Sequence, residues 1–405
     1  MDNLTRDFFA ALEAIPLIDP HSHIEPLSAA SKSLDDILGY HYYTELAHSA
    51  GMPQTCLAKD YPKRERCREI IRFMSRYDNC EQSRWFDDIA KSFLGFTGDR
   101  VTEKDADALF DAAEKTFAQP DWEKQVFAKT KLEKIFLTNE FDDPLAGFDT
   151  SVYVPCLRTD TLVFQLDKLE TKQRLAKATG VEVGDAASLK KAIRKLFEHF
   201  ISKNAKACAI SLPPDFSPKK PGVDTPGSPE GIFWILAEHC REFKLPFDLM
   251  IGVNRRVYEN GVYQGQDLYD QRTSLIQYRE LFNAFPDVTF PISVLTSGQN
   301  QELTSYAWIF PNVVCNGHWW YSNIPEFIRR DATERLQCVP KTKLIGYYSD
   351  AYKLEFVLPK YRMYRRILAG ILANEFVKPG LVTENGAVQL GQRLLRDNVR
   401  EIFKI

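Results

Sequence analysis

The sequence predicts an α/β fold, a (β/α)8 TIM barrel with a helical insertion after the first strand. Eight short apolar runs bounded by turn residues alternate with segments of helical spacing. Such alternation is typical of a parallel sheet covered by helices, and eight repeats of the unit can close a barrel. The 405 residues exceed the roughly 250 that a plain barrel needs, and most of the surplus follows the first run. An open, doubly wound sheet is the alternative, but no glycine-rich phosphate turn follows any run.

The predicted strands share an apolar interior and turn residues at both ends. They cover residues 14–20, 132–138, 151–157, 206–212, 246–252, 288–295, 312–316 and 343–348. Helical spacing covers residues 161–179, 188–204, 229–243, 267–285, 299–310, 325–338, 356–376 and 385–403. Residues 25–131 are rich in charge and helix formers, so we interpret them as a helical insertion that covers the barrel mouth. Residues 1–405 then form a single domain.

Composition narrows the class of protein. With 44% hydrophobic and 26% charged residues, the chain is typical of a soluble globular enzyme. A net charge of −3 argues against a nucleic-acid or polybasic membrane partner. The longest apolar runs are shorter than the roughly 20 residues of a membrane helix, and the acidic N-terminal start does not resemble a secretory signal. We therefore expect a cytoplasmic protein that acts on a small molecule and that can form a homo-oligomer.

The eight cysteines contain no C-x-x-C pair, and several lie inside apolar segments. Buried free thiols are therefore favoured over disulfides or zinc clusters.

The first predicted strand ends in His21 and His23. Side chains at i and i+2 leave a strand on the same face, so both imidazoles would point to the strand's C-terminal end. Such a pair also occurs by chance or caps a loop. Its position matters because active sites of barrels form where the strands end. Asp350 follows the last strand, and two histidines with an aspartate can hold a divalent metal.

Other strand ends supply cations and aromatic rings to the same mouth. Arg158 follows the third strand and Arg255 the fifth, and arginines there can clamp a carboxylate. His318, Trp319 and Trp320 follow the seventh. Purely structural roles stay open for these residues. An arginine at a strand end often forms a salt bridge, a tryptophan pair often packs in the hydrophobic core, and an aspartate can cap a helix. The whole set predicts an anionic small-molecule substrate.

The histidine pair on the first strand with an aspartate on the eighth resembles the amidohydrolase superfamily, and the chain as a whole resembles its uronate isomerase family. The family's D-x-H-x-H-L-x-P opening is similar to residues 19–26. Further similar segments, in the family's order, are residues 39–44, 139–144, 155–160, 318–323, 345–352 and 363–368. The resemblance implies isomerisation of a hexuronate, glucuronate or galacturonate, to the keto-uronate by proton transfer through an enediol. It also implies one divalent metal, with zinc as the first candidate, held by His21, His23 and Asp350.

Roles for the other candidates follow from the same resemblance and from the chemistry. Asp350 is the first candidate for the acid/base, or for helping to open the sugar ring, and Tyr42 competes as proton donor or acceptor. His41 and Arg158 would meet developing oxyanion charge. Residues expected to contact the substrate are Arg255, Trp319, Trp320 and Lys353.

Two departures from the family pattern bear on the metal and the substrate. Met250 stands where the family has a further histidine ligand, and a thioether is a poor ligand for a borderline ion. The metal is therefore expected to be weakly held or not essential, unless His318 compensates. Tyr352 replaces a family arginine, and Lys353 beside it keeps a positive charge without the planar fork. A metal-dependent hydrolase or decarboxylase and a degenerate sugar-acid-binding barrel stay open as alternatives.

Overall fold

Eight parallel strands form the wall of the barrel. The computed structural model describes residues 2–220 and 227–405. The strands are β1 (Leu17–Asp19), β2 (Leu132–Phe136), β3 (Tyr153–Val154 and Cys156–Arg158, interrupted at Pro155), β4 (Ala207–Leu212), β5 (Phe247–Ile251), β6 (Phe290–Val294), β7 (Val313–Asn316) and β8 (Leu344–Ile345). Each overlaps one predicted run, and the (β/α)8 prediction is confirmed.

The strands pair in chain order around the barrel. One parallel ladder joins β1, β2 and the first part of β3, and a second joins the rest of β3 to β8. A bridge between Asn139 and Leu157 continues the β2 to β3 contact. Beyond β8, Asp350 N donates to His21 O at 3.1 Å and His23 N donates to Ala351 O at 2.8 Å. These bonds bring the segment after β8 against the segment after β1.

The barrel interior is packed with apolar side chains from six strands and from the C-terminal helix. The cluster consists of Ile18, Phe136, Val154, Cys156, Ala207, Ala209, Val314, Ile345, Val399 and Phe403. The Phe136 and Phe403 rings lie 4.8 Å apart. A filled interior is no channel, so any site must lie at the ends of the strands.

Seventeen α-helices lie in the described part of the chain. They are α1 (Asn3–Ala14), α2 (Leu34–Leu38), α3 (His41–Ser49), α4 (Lys63–Met74), α5 (Glu81–Phe93), α6 (Ala106–Phe117), α7 (Trp122–Thr130), α8 (Asp160–Gln165), α9 (Leu169–Thr179), α10 (Ala186–Ser202), α11 (Pro229–Phe243), α12 (Arg279–Ala284), α13 (Ser297–Ile309), α14 (Pro325–Cys338), α15 (Val357–Ile371), α16 (Glu384–Gln392) and α17 (Asn398–Phe403). π-helical turns follow α15 and α16.

Helices α2–α7 lie between β1 and β2 and are tied to the segment that follows β8. The buried carboxylate of Glu355 accepts hydrogen bonds from Ser31 N at 2.9 Å and from Trp122 Nε1 at 2.7 Å. Ser31 precedes α2 and Trp122 begins α7, so both ends of this helical segment are held at the C-terminal end of β8. The assignment of residues 1–405 to one domain, with 25–131 as an insertion, stays a prediction.

The predicted helix over residues 267–285 is wrong for most of its length. Leu268–Tyr269 instead pairs antiparallel with Val253–Asn254, and only α12 at the far end is α-helical. Between them, the Asp270 side chain accepts from Arg272 N at 2.9 Å, and Ser274 caps a short 3-10 turn. Such side-chain to backbone bonds favour turns over a continuous helix.

Two expectations from composition can be compared with the structure. All eight cysteines are free thiols, and six of them are buried. Within the described ranges, no helix combines the length and the apolar character needed to cross a membrane.

Candidate active site at the barrel mouth

His21, His23 and Asp350 meet at the C-terminal ends of β1 and β8. Asp350 Oδ1 lies 3.5 Å from His21 Nε2 and 3.3 Å from His23 Nε2. The alternation of side chains after β1 places both imidazoles on one face, as the sequence predicts. Asp350 has a left-handed backbone with φ of 52°, which costs about 1–2 kcal/mol for a residue with a side chain. Surrounding contacts must therefore hold Asp350 in place.

The spacing of these three side chains fits a metal ion. One ligand atom from each lies within 4.8 Å of the others. In a tetrahedral site with metal–ligand bonds of about 2.1 Å, neighbouring ligand atoms lie about 3.4 Å apart. The distances from Asp350 Oδ1 to His21 Nε2 and His23 Nε2 are close to this value. Both are longer than a good hydrogen bond. His21 Nε2 and Asp350 Oδ1 are buried without a hydrogen-bond partner. The group can hold one divalent ion.

Polar groups on and next to the strands surround His21, His23 and Asp350. Thr138 Oγ1 lies 2.8 Å from His23 Nδ1, which leaves Nε2 of that ring to face Asp350. Asp248 on β5 accepts from Asn316 Nδ2 at 3.1 Å, and burial raises the pKa of Asp248 to about 6. Asp19 accepts from Ser349 N at 2.9 Å, and burial likewise raises the pKa of Asp19 to about 6. Carboxyl groups and amides therefore form the floor of the site.

Tyr42 on α3 reaches Asp350 from the helical segment. Its hydroxyl donates to Asp350 Oδ2 at 3.3 Å. Burial raises the pKa of Tyr42 well above 10, with Tyr40 and Asp350 adding to the shift. Burial alone would raise the pKa of Asp350, but the two imidazoles outweigh it and hold that pKa well below the usual range. Near neutral pH the pair is therefore a carboxylate and a protonated phenol, an arrangement suited to a base and an acid.

His41, also on α3, lies beside this pair and is buried. Its Nδ1 lies 2.7 Å from Glu45 Oε1, which fixes the ring and leaves Nε2 free. The His41 ring lies 4.2 Å from the Tyr42 ring and 5.9 Å from the Trp320 ring.

Two of the predicted cations, Arg158 and Arg255, line a cavity of about 750 Å³ together with Gln264. Arg158 Nε pairs with Asp160 Oδ2 at 3.2 Å, and Arg255 pairs with Asp267 at 2.6 Å. Burial alone would lower the pKa of Arg158, but Asp160 outweighs it and raises that pKa, so the guanidinium stays charged. Arg158 is partly buried, whereas the Arg255 side chain is 53% exposed. Arg158 is the better placed of the two to bind an anion.

The two positions that depart from the family pattern lie at this mouth. Met250 packs with Val253, Leu295, Trp319 and Tyr348 in an apolar cluster and offers no ligand nitrogen. The Tyr352 ring lies 4.9 Å from the His23 ring, and the Tyr352 hydroxyl accepts from Gln264 Nε2 at 3.1 Å. Gln264 also lines the cavity, so Tyr352 lies between the cluster and the cavity.

Trp319 and Trp320 have different surroundings. Trp319 is 5% exposed and belongs to the Met250 cluster. Trp320 has φ of 41°, stacks on Tyr321 at 5.0 Å and keeps a buried Nε1 with no partner. Trp320 therefore keeps one buried hydrogen-bond donor without a protein partner, and contact of either tryptophan with a substrate stays a prediction.

Two predicted residues make contacts outside the cluster. His318 is not part of the group formed by His21, His23 and Asp350, and its ring lies 6.0 Å from the Tyr364 ring of α15. Burial, then Arg335, lowers the pKa of His318 well below 6.5, so the ring is neutral. The Lys353 ammonium is engaged by the protein, since its Nζ donates to Ser28 O at 2.5 Å in the turn after β1. His318 is not part of the group that can hold a metal, and the substrate contact of Lys353 stays a prediction.

Several residues of the site gave no recognised signal in the sequence. Tyr40 donates its hydroxyl to Asp350 O at 2.8 Å, and Lys360 on α15 donates to that same Tyr40 hydroxyl at 2.9 Å. Tyr40 is the residue next to His41, so the tyrosine and histidine run at residues 40–43 could have suggested it. Lys360 lies within a helix and Asp248 within a strand. In the sequence, neither residue is distinguished from an ordinary polar residue of such an element.

Comparisons with known proteins agree with this geometry. No protein-family model matches the chain. The uronate isomerase of Brucella canis is 23% identical over 457 aligned positions, covering 99% of this chain and 96% of that protein. The uronate isomerase structure from Thermotoga maritima has a TM-score of 0.89 at 18% identity, covering 100% of this chain and 98% of the other. That from Bacillus halodurans C-125 has a TM-score of 0.84 at 23% identity, covering 99% and 96%. By sequence along nearly its whole length, and by fold, the chain is a divergent relative of the uronate isomerase family.

Proposed function

We propose that this protein is an aldose–ketose isomerase that interconverts a hexuronate and its keto-uronate. The observation that carries the proposal is the pair of Asp350 and Tyr42 at the barrel mouth. The charged Arg158 lines a cavity that is linked to the cluster through Gln264 and Tyr352. Relatives named uronate isomerase align along nearly the whole chain and support the same reaction. The proposal needs one group that accepts a proton, one that donates it, and one that binds a carboxylate.

The proposed reaction moves one proton between neighbouring carbons of the open-chain sugar. Asp350, as the carboxylate, takes the proton from C2 of the aldose while Tyr42 gives a proton to the carbonyl oxygen, which forms the enediol. Removal of the O2 proton and delivery of a proton to C1 then give the ketose, with no net oxidation. The His41 ring, oriented by Glu45, is placed to share the oxyanion charge.

A divalent ion fits His21, His23 and Asp350, and zinc is the first candidate because imidazole and carboxylate are among its usual ligands. When bound, such an ion would supply positive charge to a sugar oxygen. With Met250 in place of a fourth protein ligand, we expect the ion to be held weakly or not to be required.

Metal content tests this assignment. We expect protein equilibrated with Zn²⁺ by dialysis to bind on the order of one ion per chain at saturation, measured by mass spectrometry, and His23→Gln to bind much less. His318→Gln is the matched control, because that ring is buried outside the cluster, and it should keep the metal. Equal loss in both variants would contradict the assignment.

The proposed binding of the substrate carboxylate by Arg158 gives a second prediction. Arg158→Met should raise KM for a hexuronate about 30-fold, since a charge-assisted hydrogen bond to an anion contributes roughly 1.5–3 kcal/mol, while kcat changes less. Arg255→Met is the control, because Arg255 is more exposed and already paired with Asp267. Steady-state kinetics that give the larger KM effect for Arg255→Met would reverse this assignment.

The function itself is tested by incubating the protein with D-glucuronate and with D-galacturonate and following the sugars by NMR. Appearance of the keto-uronate supports the isomerase. Release of carbon dioxide or cleavage of an added ester or amide would instead favour a decarboxylase or hydrolase of the same fold. Binding by calorimetry without turnover would favour a degenerate sugar-acid-binding barrel. The cytoplasmic location and the possible homo-oligomer stay predictions.

A further inference from the structure

Lys360 is a buried cation on α15, the helix that follows β8. Its side chain is fully buried. The ammonium donates to Ser349 O at 2.7 Å and to the Tyr40 hydroxyl at 2.9 Å. It also lies over the rings of Tyr40, Tyr42 and Trp85, at 5.0, 4.9 and 4.8 Å from their centroids. Every polar contact of this lysine is therefore with the wall of the candidate site.

Both hydrogen-bond partners of Lys360 lead to Asp350. The Tyr40 hydroxyl, which accepts from Lys360, donates its own proton to Asp350 O at 2.8 Å. The Ser349 carbonyl belongs to the peptide unit whose nitrogen is Asp350 N, and that nitrogen donates to His21 O at 3.1 Å. Asp350 is thus held on both sides, which explains how its left-handed backbone persists. The chain of contacts runs from Lys360 through Tyr40 and Ser349 to the proposed base.

Burial of the charged Lys360 side chain is energetically unfavourable. No carboxylate in the described part of the chain lies within 4.0 Å of its Nζ, and the acidic groups that act on it from farther away are Asp350 and Asp19. Burial lowers the pKa of Lys360 to about 8, although both aspartates oppose the shift. An apolar side chain would pack here at less cost, because a buried charge without a close counter-ion is unfavourable. The hydrogen bonds from Lys360 to Tyr40 and Ser349 are interactions that an apolar side chain could not make.

We propose that Lys360 is a positioning residue of the isomerisation, which holds Asp350 against His21, His23 and Tyr42 through the Tyr40 hydroxyl and the Ser349 carbonyl. Lys360 touches no substrate atom in this role and acts only through those two groups. The inference rests on the proposed function for its kinetic effect, while the contacts it describes exist with or without turnover.

The experiment compares Lys360→Met, Tyr40→Phe and the double variant with Lys343→Met as a matched control. Lys343 is a partly buried lysine outside the site. It lies just before β8, at the opposite end of the barrel, and its Nζ donates to Phe310 O at 2.6 Å. We expect Lys360→Met to lower kcat about 10- to 100-fold, the loss that a displacement of about 1 Å can cause, with KM within about 3-fold. Tyr40→Phe should act in the same direction, and the double variant should lose little beyond Lys360→Met. Lys343→Met should leave kcat unchanged.

A purely structural role would give a different pattern. Lys360→Met and Lys343→Met would then lower the melting temperature alike and leave kcat per folded molecule unchanged, which would overturn the proposal. Additive losses in the double variant would show that Lys360 does not act through Tyr40. If the unmodified protein turns over no hexuronate, the proposed function fails, and crystal structures decide the positioning role separately. A displaced Asp350 carboxylate in Lys360→Met supports positioning, and an unmoved one contradicts it.

Discussion

Asp350→Asn should lower kcat for hexuronate isomerisation about 10³- to 10⁴-fold, near the upper range for loss of a general base. The amide keeps the size of the carboxylate but cannot accept a proton from carbon. Asparagine tolerates the left-handed backbone that Asp350 adopts, so the fold should survive. The amide also removes one anionic oxygen from the metal group, so metal content should be measured in the same samples.

Asp331→Asn is the matched control for this change. Asp331 is a fully buried aspartate on α14, outside the site, and its loss should leave kcat within about 2-fold, as changes without contact to the reacting groups usually do. Circular dichroism and thermal unfolding establish that both variants are folded. A fall in kcat of similar size in both variants would mean that the loss reflects the fold and not the chemistry.

Tyr42→Phe should lower kcat about 100-fold with a smaller change in KM, because a positioned proton donor contributes at least that much in most enzymes. Phenylalanine keeps the ring that packs under Lys360 and beside His41 but loses the hydroxyl that donates to Asp350 Oδ2. The effect should therefore fall on proton transfer and not on substrate affinity.

Tyr43→Phe provides the comparison on the same helix. Tyr43 is fully buried, and its hydroxyl has no hydrogen-bond partner in the structure. Its removal should leave kcat unchanged and the protein at least as stable. If Tyr43→Phe were as slow as Tyr42→Phe, disturbance of α3 would be responsible, and Tyr42 would lose its assignment as the proton donor.

The sequence was informative where polar residues follow apolar strands. His21 and His23 are adjacent to a short strand, and the alternation of side chains places them together without any knowledge of the rest of the fold. Asp350 and Arg158 follow the same rule, since the C-terminal ends of parallel strands meet at one face of a barrel. His41 and Tyr42 lie on a helix, so only the resemblance to a family indicated them.

Several side-chain positions depend on local contacts that the strand rule does not describe. His318 follows β7, yet its ring packs near Tyr364 and is not part of the metal group. Lys353 keeps its charge but satisfies the carbonyl of Ser28, a contact that depends on a turn far away in the sequence. Lys360 was missed because a lysine in an amphipathic helix is usually exposed. Its burial depends on three aromatic rings from the helices between β1 and β2.

The most direct test of the central claim, proton transfer between C2 and C1 at Asp350, is isomerisation in D₂O followed by NMR. The unmodified protein should convert a hexuronate to its keto-uronate and introduce solvent deuterium at C2 of the aldose or C1 of the ketose, and Asp350→Asn should introduce neither at a comparable rate. If no hexuronate is converted, or if Asp350→Asn converts it and introduces deuterium as fast as the unmodified protein, the assignment of Asp350 as the base of an enediol isomerisation would be contradicted.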